Sequence, residues 1–485
     1  HIRPGVNRTV AHRAGVETVA AAVEWLGDKE MDQAVFMWVH LFDPHRPWAP
    51  SGDPSQSDYQ AAIAKADAAT ATLINAFRAR GTFESSILVL ASDHGEGLGE
   101  HGEQTHGYFA YDSTIRVPML MRIGPGNAVA PTRGIEVGGM ASLLDVSPTV
   151  LAAAGLEPMT TEGLDLSEAL SGQPIPPRAL SVEAMTPALD FDAAPIFGVY
   201  DAHKQVWYDS PLPERYRIDS DPKQLVNRYL PADKAKATDT FNQFPRRWPQ
   251  TSDPMALSEQ DREALEALGY ITRPEIPTSV STVDAKDRVG LFNLLTNTPE
   301  GSAMDLLEQA ESMTDAHGPV PALMLFRADL LDALGRSLDA LEVVRTAAMA
   351  HPSDRDLNGE FLKREEERTH LQQMSVAIRR ELQENPSNDE AQRDLAITLH
   401  RLQRFREAEQ LYRQLLEAHP ANDEFRVDLA RMFASQARYD TALSTLAPAL
   451  RRPKHDPSVD CLAGKLMSRG KDRDEAAAVL LSRCE

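Results

Sequence analysis

Ser86-Ile87-Leu88-Val89-Leu90-Ala91-Ser92-Asp93-His94-Gly95 reads as a short apolar strand that ends on two metal-competent side chains and a glycine. A run this short, rich in strand formers and without polar alternation, is the pattern of a strand covered on both faces in a parallel sheet. Gly95 permits the sharp turn that would aim Asp93 and His94 at one ion. A helix-capping aspartate beside a surface histidine would look the same in isolation. The following loop favours the site: Gly95, Gly97, Gly99, Gly102 and Gly107 alternate with His94, His101 and His106, more backbone freedom and imidazole than an ordinary connection needs.

Working outward, apolar and small residues recur at helical spacing from Gly15 to Leu26, and Ala34 to Leu41 forms a second continuous apolar run, again a candidate central parallel strand. That run leads to Asp43-Pro44-His45 in a loop with Pro44, Pro47, Pro50 and Pro54. Tyr59 to Ala79 reads as helix ended by Gly81, Val117 to Met121 as a third strand, and Ala141 to Ala154 as a helix closed by Gly155. This alternation predicts an α/β domain with a mostly parallel sheet. Ligands of such sheets sit beyond the carboxyl ends of the strands, where the loops at 43 to 45 and 93 to 106 fall. A histidine at position 45 could donate to an anionic oxygen or protonate a leaving group, or could simply pack in the proline-rich loop.

Residues 180 to 230 read as a small irregular β region with strands near Phe197 to Tyr200 and Gln205 to Tyr208. Residues 231 to 285 are rich in Pro, Asp and Thr, with one helical stretch, Ser258 to Leu268, that Ser258 and Asp261 open like a capping box. Beyond about residue 290 the chain is helical throughout and periodic. Pro352, Pro386 and Pro420 lie 34 residues apart, and Ala328, Ala396 and Ala430 keep the same phase, with Leu362 the exception and Gly464 the next member. Ala340, Ala408, Ala442 and Ala476 form a second column, broken by Met374. Small residues at fixed phase let two helices approach closely, and the proline stops the second one, so this stretch resembles the tetratricopeptide repeat, loosely so at 353 to 385. The resemblance implies a groove that binds a protein partner.

A chain of 485 residues with 42% hydrophobic content can bury two or three cores. The 50 Lys+Arg against 72 Asp+Glu, a net charge of -22, argue against nucleic acid or an anionic membrane as general partner. An anionic substrate would then need local positive charge, which a metal supplies. Two cysteines, Cys461 and Cys484, make no disulfide framework for the whole fold.

Several separate motifs in one order now resemble the sulfatases of the alkaline phosphatase superfamily. They are Phe42-Asp43-Pro44-His45-Arg46-Pro47-Trp48, then Ser92 to Glu103, His106-Gly107, Arg116-Val117-Pro118, Asp145-Val146-Ser147-Pro148-Thr149 and Gly155-Leu156. Glu214-Arg215-Tyr216 before Asp221-Pro222 resembles the family's short C-terminal motif of a strand and an Asp-Pro turn, although Tyr216 to Asp219 departs from its usual wording. The resemblance implies a partial alkaline-phosphatase-like three-layer sandwich over residues 1 to 180. A small subdomain at 181 to 230, a linker and docking segment at 231 to 289 and an all-α repeat array at 290 to 485 would follow. It implies Asp93 and His94 as ligands of one divalent metal, most often calcium, with magnesium, manganese and zinc open. It implies that His45 contacts the ester's sulfate and leaving oxygen and that His106 binds the same group, stabilising charge on the departing alkoxide. His101, Glu100 and Glu103 are expected to structure the loop.

The family's nucleophile is a formylglycine made from a Cys/Ser-x-Pro/Ala-x-Arg motif, after a strand that carries two more aspartate ligands. Neither is read anywhere in the chain. Roughly 150 to 200 further residues, judged from ordinary domain sizes, are expected upstream, together with any targeting segment. The Cys461-Leu462-Ala463-Gly464-Lys465 stretch, ending in Lys, is assigned to helix packing. The resemblance thus implies hydrolysis of a sulfated small molecule or glycan by the intact protein, with this chain alone a poor enzyme, and an exported or envelope-associated bacterial setting. A phosphate or phosphonate ester hydrolase or transferase of the same superfamily, and an interaction protein with a degenerate hydrolase domain, are the alternatives.

Overall fold

In the computed structural model, the residues described are 13–30, 33–46, 48, 56–124, 134–244, 281–296, 302–352, 354–467, 479, 480 and 482. The expected helix at Ser258 to Leu268 and the column member Ala476 lie outside them. Two compact units divide between Asn293 and Leu294.

The first unit mixes helices and sheets. Helices α1 (Gly15–Gly27) and α2 (Gln56–Arg80) pack on each other. Arg80 at the end of α2 donates to the carbonyls of Leu26, Lys29 and Glu30 at 2.7, 2.6 and 2.7 Å. A cation suits the negative end of α1. Asp43 serves the other end: its Oδ1 accepts the Gly15 amide at 3.2 Å, and a Cβ on Gly15 would lie 2.2 Å from Oδ2. Gly81, at φ +75°, ends α2.

Strand direction departs from expectation. β1 (Leu88–Ala91) pairs antiparallel with β2 (Met119–Arg122), and every described strand pair is antiparallel. The parallel reading needed the run at 34 to 41 as a central strand, but those residues form no ladder. Val35, Met37, Val39 and Leu41 are half-buried, whereas Phe36 and Trp38 are 82% and 83% exposed. Leu90 and Leu120, directly opposed on β1 and β2, are exposed as well. An apolar run becomes a two-sided strand only where a layer lies on each face, and the exposure of Phe36, Trp38, Val89, Leu90 and Leu120 shows that such layers are missing among the described residues.

The four-stranded sheet runs in the order β3 (Leu180–Ala184), β4 (Ile196–Tyr200), β5 (Gln205–Asp209), β6 (Glu214–Arg217). Alternation sorts its faces. Phe197, Val199 and Trp207 pack under Ala237 and Phe241 of the helix Lys234–Phe241. On the opposite face Tyr200 and Tyr208 reach the segment that follows His106: their hydroxyls donate to Asp112 Oδ1 at 2.6 Å and to the Ala110 carbonyl at 2.7 Å.

The second unit is helical wherever it is described in regular structure. Ala328, Ala340, Ala396, Ala408, Ala430 and Ala442 are completely buried, so both alanine columns mark helix contacts. Asn388 and Asn422, 34 residues apart, cap the first helices of successive hairpins by accepting from the amides of Ala391 and Phe425. The aberrant unit has a cause. Gly335, Gln403 and Ala437, at φ +74°, +53° and +57°, turn the chain within their hairpins, and the same phase falls on Thr369. A β-branched residue resists that left-handed conformation, and the helix Arg355–Glu384 runs straight through. Leu362 and Met374, the two column exceptions, are exposed on it. Cys461, on the helix Pro457–Met467, is disulfide-bonded; Cys484, the chain's other cysteine, lies outside the described residues.

Ala408→Leu should lower stability by about 1–3 kcal/mol, because the added carbons have no space. Leu362→Ala, on an exposed site, should change it by less than about 0.5 kcal/mol. Denaturant melts of both variants, compared with the parent, check the contrast.

Candidate active site

β1 delivers Ser92, Asp93 and His94 to the start of a loop that returns on itself. Ser92 Oγ donates to the His94 carbonyl at 2.6 Å, and the His94 amide donates to Asp93 Oδ1 at 3.0 Å. His94 Nδ1 lies 2.8 Å from the Gly95 carbonyl, a contact that puts the ring proton on Nδ1 and leaves Nε2 free to coordinate. Nε2 is 3.7 Å from Asp93 Oδ2. Both side chains are partly open to solvent, and the chemistry of the pair, one carboxylate and one imidazole, suits a divalent ion. Among the described residues, however, no group of three or more His, Cys, Asp or Glu side chains is arranged to hold a metal. Two donors are fewer than calcium or magnesium requires.

Three imidazoles from two loops converge here. His106 stacks on His94 with ring centroids 3.9 Å apart and planes at 25°. His45 meets His106 edge-on at 5.1 Å and stacks on Phe42 at 4.3 Å. Its Nδ1 is 2.6 Å from the Arg46 carbonyl. Burial pushes the His45 ring below the usual imidazole range, and the neighbouring His106 and His94 act in the same direction. His45, His94 and His106 therefore form one cluster beside Asp93.

His101 takes no part in it. At φ +54° it stacks on Tyr111 at 3.6 Å, with Nε2 3.1 Å from the Lys223 carbonyl. Glu100 accepts the Leu98 amide at 2.7 Å. Glu103, almost completely buried, accepts the amides of Tyr108 at 2.8 Å and Phe109 at 3.3 Å. These three residues shape the loop. Behind it, Tyr111 donates to Glu214 on β6 at 2.7 Å, Tyr108 donates to the Ala285 carbonyl at 2.9 Å, and Asn293 donates to the Gly102 carbonyl at 2.6 Å.

Two features escaped the reading of the sequence. Glu96 is buried with its Oε1 3.2 Å from His106 Nδ1, a pairing across ten positions that no linear spacing announces. Ser375-Val376-Ala377-Ile378-Arg379 fits the Cys/Ser-x-Pro/Ala-x-Arg wording. It lies inside the helix Arg355–Glu384, with Ser375 buried and donating to the Gln372 carbonyl and Arg379 paired with Glu407. That serine is packing, and a search for the pattern alone would have raised it falsely.

Residues 16–156 match the family model for sulfatases, and residues 399–466 match that for tetratricopeptide repeats. Arylsulfatase K from Xenopus laevis is 31% identical over 184 residues, covering 35% of this chain and 32% of that protein. An ulvan-active sulfatase from Formosa agariphila is 33% identical over 144 residues, covering 29% and 26%. This chain thus spans about a third or less of the curated relatives it matches. Among solved structures, a 2-O GAG sulfatase covers 47% of this chain and 48% of its own at 17% identity and a TM-score of 0.33. A tetratricopeptide repeat protein from Parabacteroides merdae covers 38% and 71% at 16% identity and a TM-score of 0.23.

Burial pushes the Glu103 carboxyl up to about 7, against the two amides it accepts. A folded value raised above the unfolded 4.5 gives stability that is complete below pH 4.5 and is lost as pH rises through 7. Glu103→Gln keeps the acceptor without the charge, so its denaturation midpoint should fall less than the parent's between pH 4.5 and pH 8. Equal pH dependence in the two proteins would refute the assignment.

Proposed function

We propose that this chain, with its sulfatase-family segment and its tetratricopeptide repeats, supplies part of the active site of a sulfuric ester hydrolase together with an arm for a protein partner. One observation carries the reading: Asp93, His94, His106 and His45 meet at the end of β1, inside the segment that matches the sulfatase model. The nucleophile in this reading is of the formylglycine type and comes from outside the chain.

Asp93 and His94 would hold a divalent cation, calcium first among the candidates, which when bound neutralises charge on the anionic ester. The chain's own imidazoles assist the leaving group. His106, with Nδ1 turned to Glu96, presents Nε2 to the leaving oxygen and donates from it as the doubly protonated ring, and His45 is held by Phe42 and the Arg46 carbonyl beside it. A donor placed where the alkoxide forms is worth more in a partly buried site than in water. The Arg46 carbonyl occupies Nδ1 of His45, which leaves Nε2 for the ester. A sulfated small molecule or glycan is the substrate class, in keeping with relatives named for such activities. The repeat array would present its groove to an extended or helical segment of a partner protein.

The test is turnover of an aryl sulfate and of the matching aryl phosphate by the protein expressed from its complete reading frame. Sulfate turnover should exceed phosphate turnover, and His106→Ala should lower kcat by about 10²–10⁴-fold. Asp93→Asn should raise the concentration of divalent cation needed for half-maximal turnover. Preference for the phosphate ester would move the assignment to a phosphoryl-transfer enzyme, and no turnover of either would leave only an interaction role.

A further inference from the structure

A buried carboxylate is costly unless it accepts hydrogen bonds from its surroundings. The Glu96 side chain is only 4% exposed, and its Oε1 lies 3.2 Å from Nδ1 of His106. An ionised carboxylate can only accept, so Nδ1 must carry the hydrogen. The Thr105 hydroxyl lies 3.4 Å from the same nitrogen, at the edge of hydrogen-bonding distance. His106 is thereby fixed in three ways: Glu96 at Nδ1, the His94 ring against one face, and the His45 ring at an angle of 77°. The backbone enforces the pairing, because the Gly97 amide donates to the Thr105 carbonyl at 2.9 Å and so places the residues just outside that bond, 96 and 106, side by side.

We propose that Glu96 is a positioning residue for His106: its carboxylate holds the ring hydrogen on Nδ1 and so makes Nε2 the nitrogen that takes up a proton and gives it to the leaving oxygen. The inference rests on the sulfatase reading for what the substrate is, but not for the state of the ring. Without Glu96, the ring loses one of its three restraints and its nitrogens exchange roles.

Two measurements test it. Nitrogen NMR of the 485-residue chain labelled with 15N-histidine, at about pH 8.5 where ordinary imidazoles are neutral, reads the form of each ring. His106→Ala identifies the His106 signals. The parent should show a protonated Nδ1 and a bare Nε2, Glu96→Ala should shift His106 toward the Nε2–H form, and Glu96→Gln, whose side-chain carbonyl still accepts, should retain Nδ1–H. An unchanged His106 spectrum in Glu96→Ala overturns the proposal. In the protein from the complete reading frame, Glu96→Ala should lower kcat for a sulfate ester about 10–100-fold with KM little changed, and Glu96→Gln should restore most of it. Glu96→Ala should cost nothing further when combined with His106→Ala, whereas additive losses would show a purely structural role and overturn the proposal. If the parent turns over no sulfate ester, the functional reading fails by itself, and the NMR result still decides what Glu96 does.

Discussion

The amides of Gly95, Gly97 and Gly99 donate to the carbonyls of Thr114, Thr105 and Glu103 at 2.7, 2.9 and 2.9 Å, zipping the loop after β1 back onto itself. The first two bonds explain why glycine recurs at every second position. A Cβ on Gly95 would lie 2.4 Å from the Ser113 carbonyl, and one on Gly97 would lie 2.3 Å from that of Thr105. Gly99 is needed for another reason, since it turns the chain at φ +107°. This backbone closure brings residues 94, 96 and 106 into one place, and the stacked imidazoles and the Glu96 contact follow from it.

A zipped loop still needs something behind it. The amides after His106 are held by the buried Glu103, and the tyrosines at 108 and 111 are tied to residues far along the chain. The small antiparallel sheet thus acts as a backstop for the loop after β1, with its Tyr200 and Tyr208 face turned to residues 110 to 112. On the other side of β1 the situation is reversed. Phe36, Trp38, Leu90 and Leu120 are exposed among the described residues, and the Asp93 and His94 pair offers two donors where a divalent ion needs more.

Most of the helices were legible in the sequence because they carry local signals: the period of α1, Gly81 after α2, Gly155 after the helix Val146–Ala154, and the alanine columns of the array. The imidazole cluster was only partly legible: His94 follows β1 and His106 stands in the glycine-rich loop, but His45 was placed from an apolar run that forms no strand. What could not be read depends on contacts between distant residues. The apolar run at 34 to 41 has the composition of a central strand, but pairing is decided by neighbours, and its neighbours do not ladder with it. Glu96 stands out only once the chain reversal places it at His106. The long helix Arg355–Glu384 was hinted at by Leu362 and Met374, although its cause, a threonine where the hairpins turn left-handed, needed the backbone angles.

The central claim is that Asp93 and His94 are one part of a divided divalent-metal centre. A crystal structure of the protein from its complete reading frame, grown with calcium, tests it most directly. The account predicts an ion within about 2.3–2.6 Å of Asp93 carboxylate oxygen, with His94 Nε2 turned to it and further oxygen ligands from outside these 485 residues. A calcium ion bound elsewhere, with Asp93 and His94 facing solvent, would contradict it.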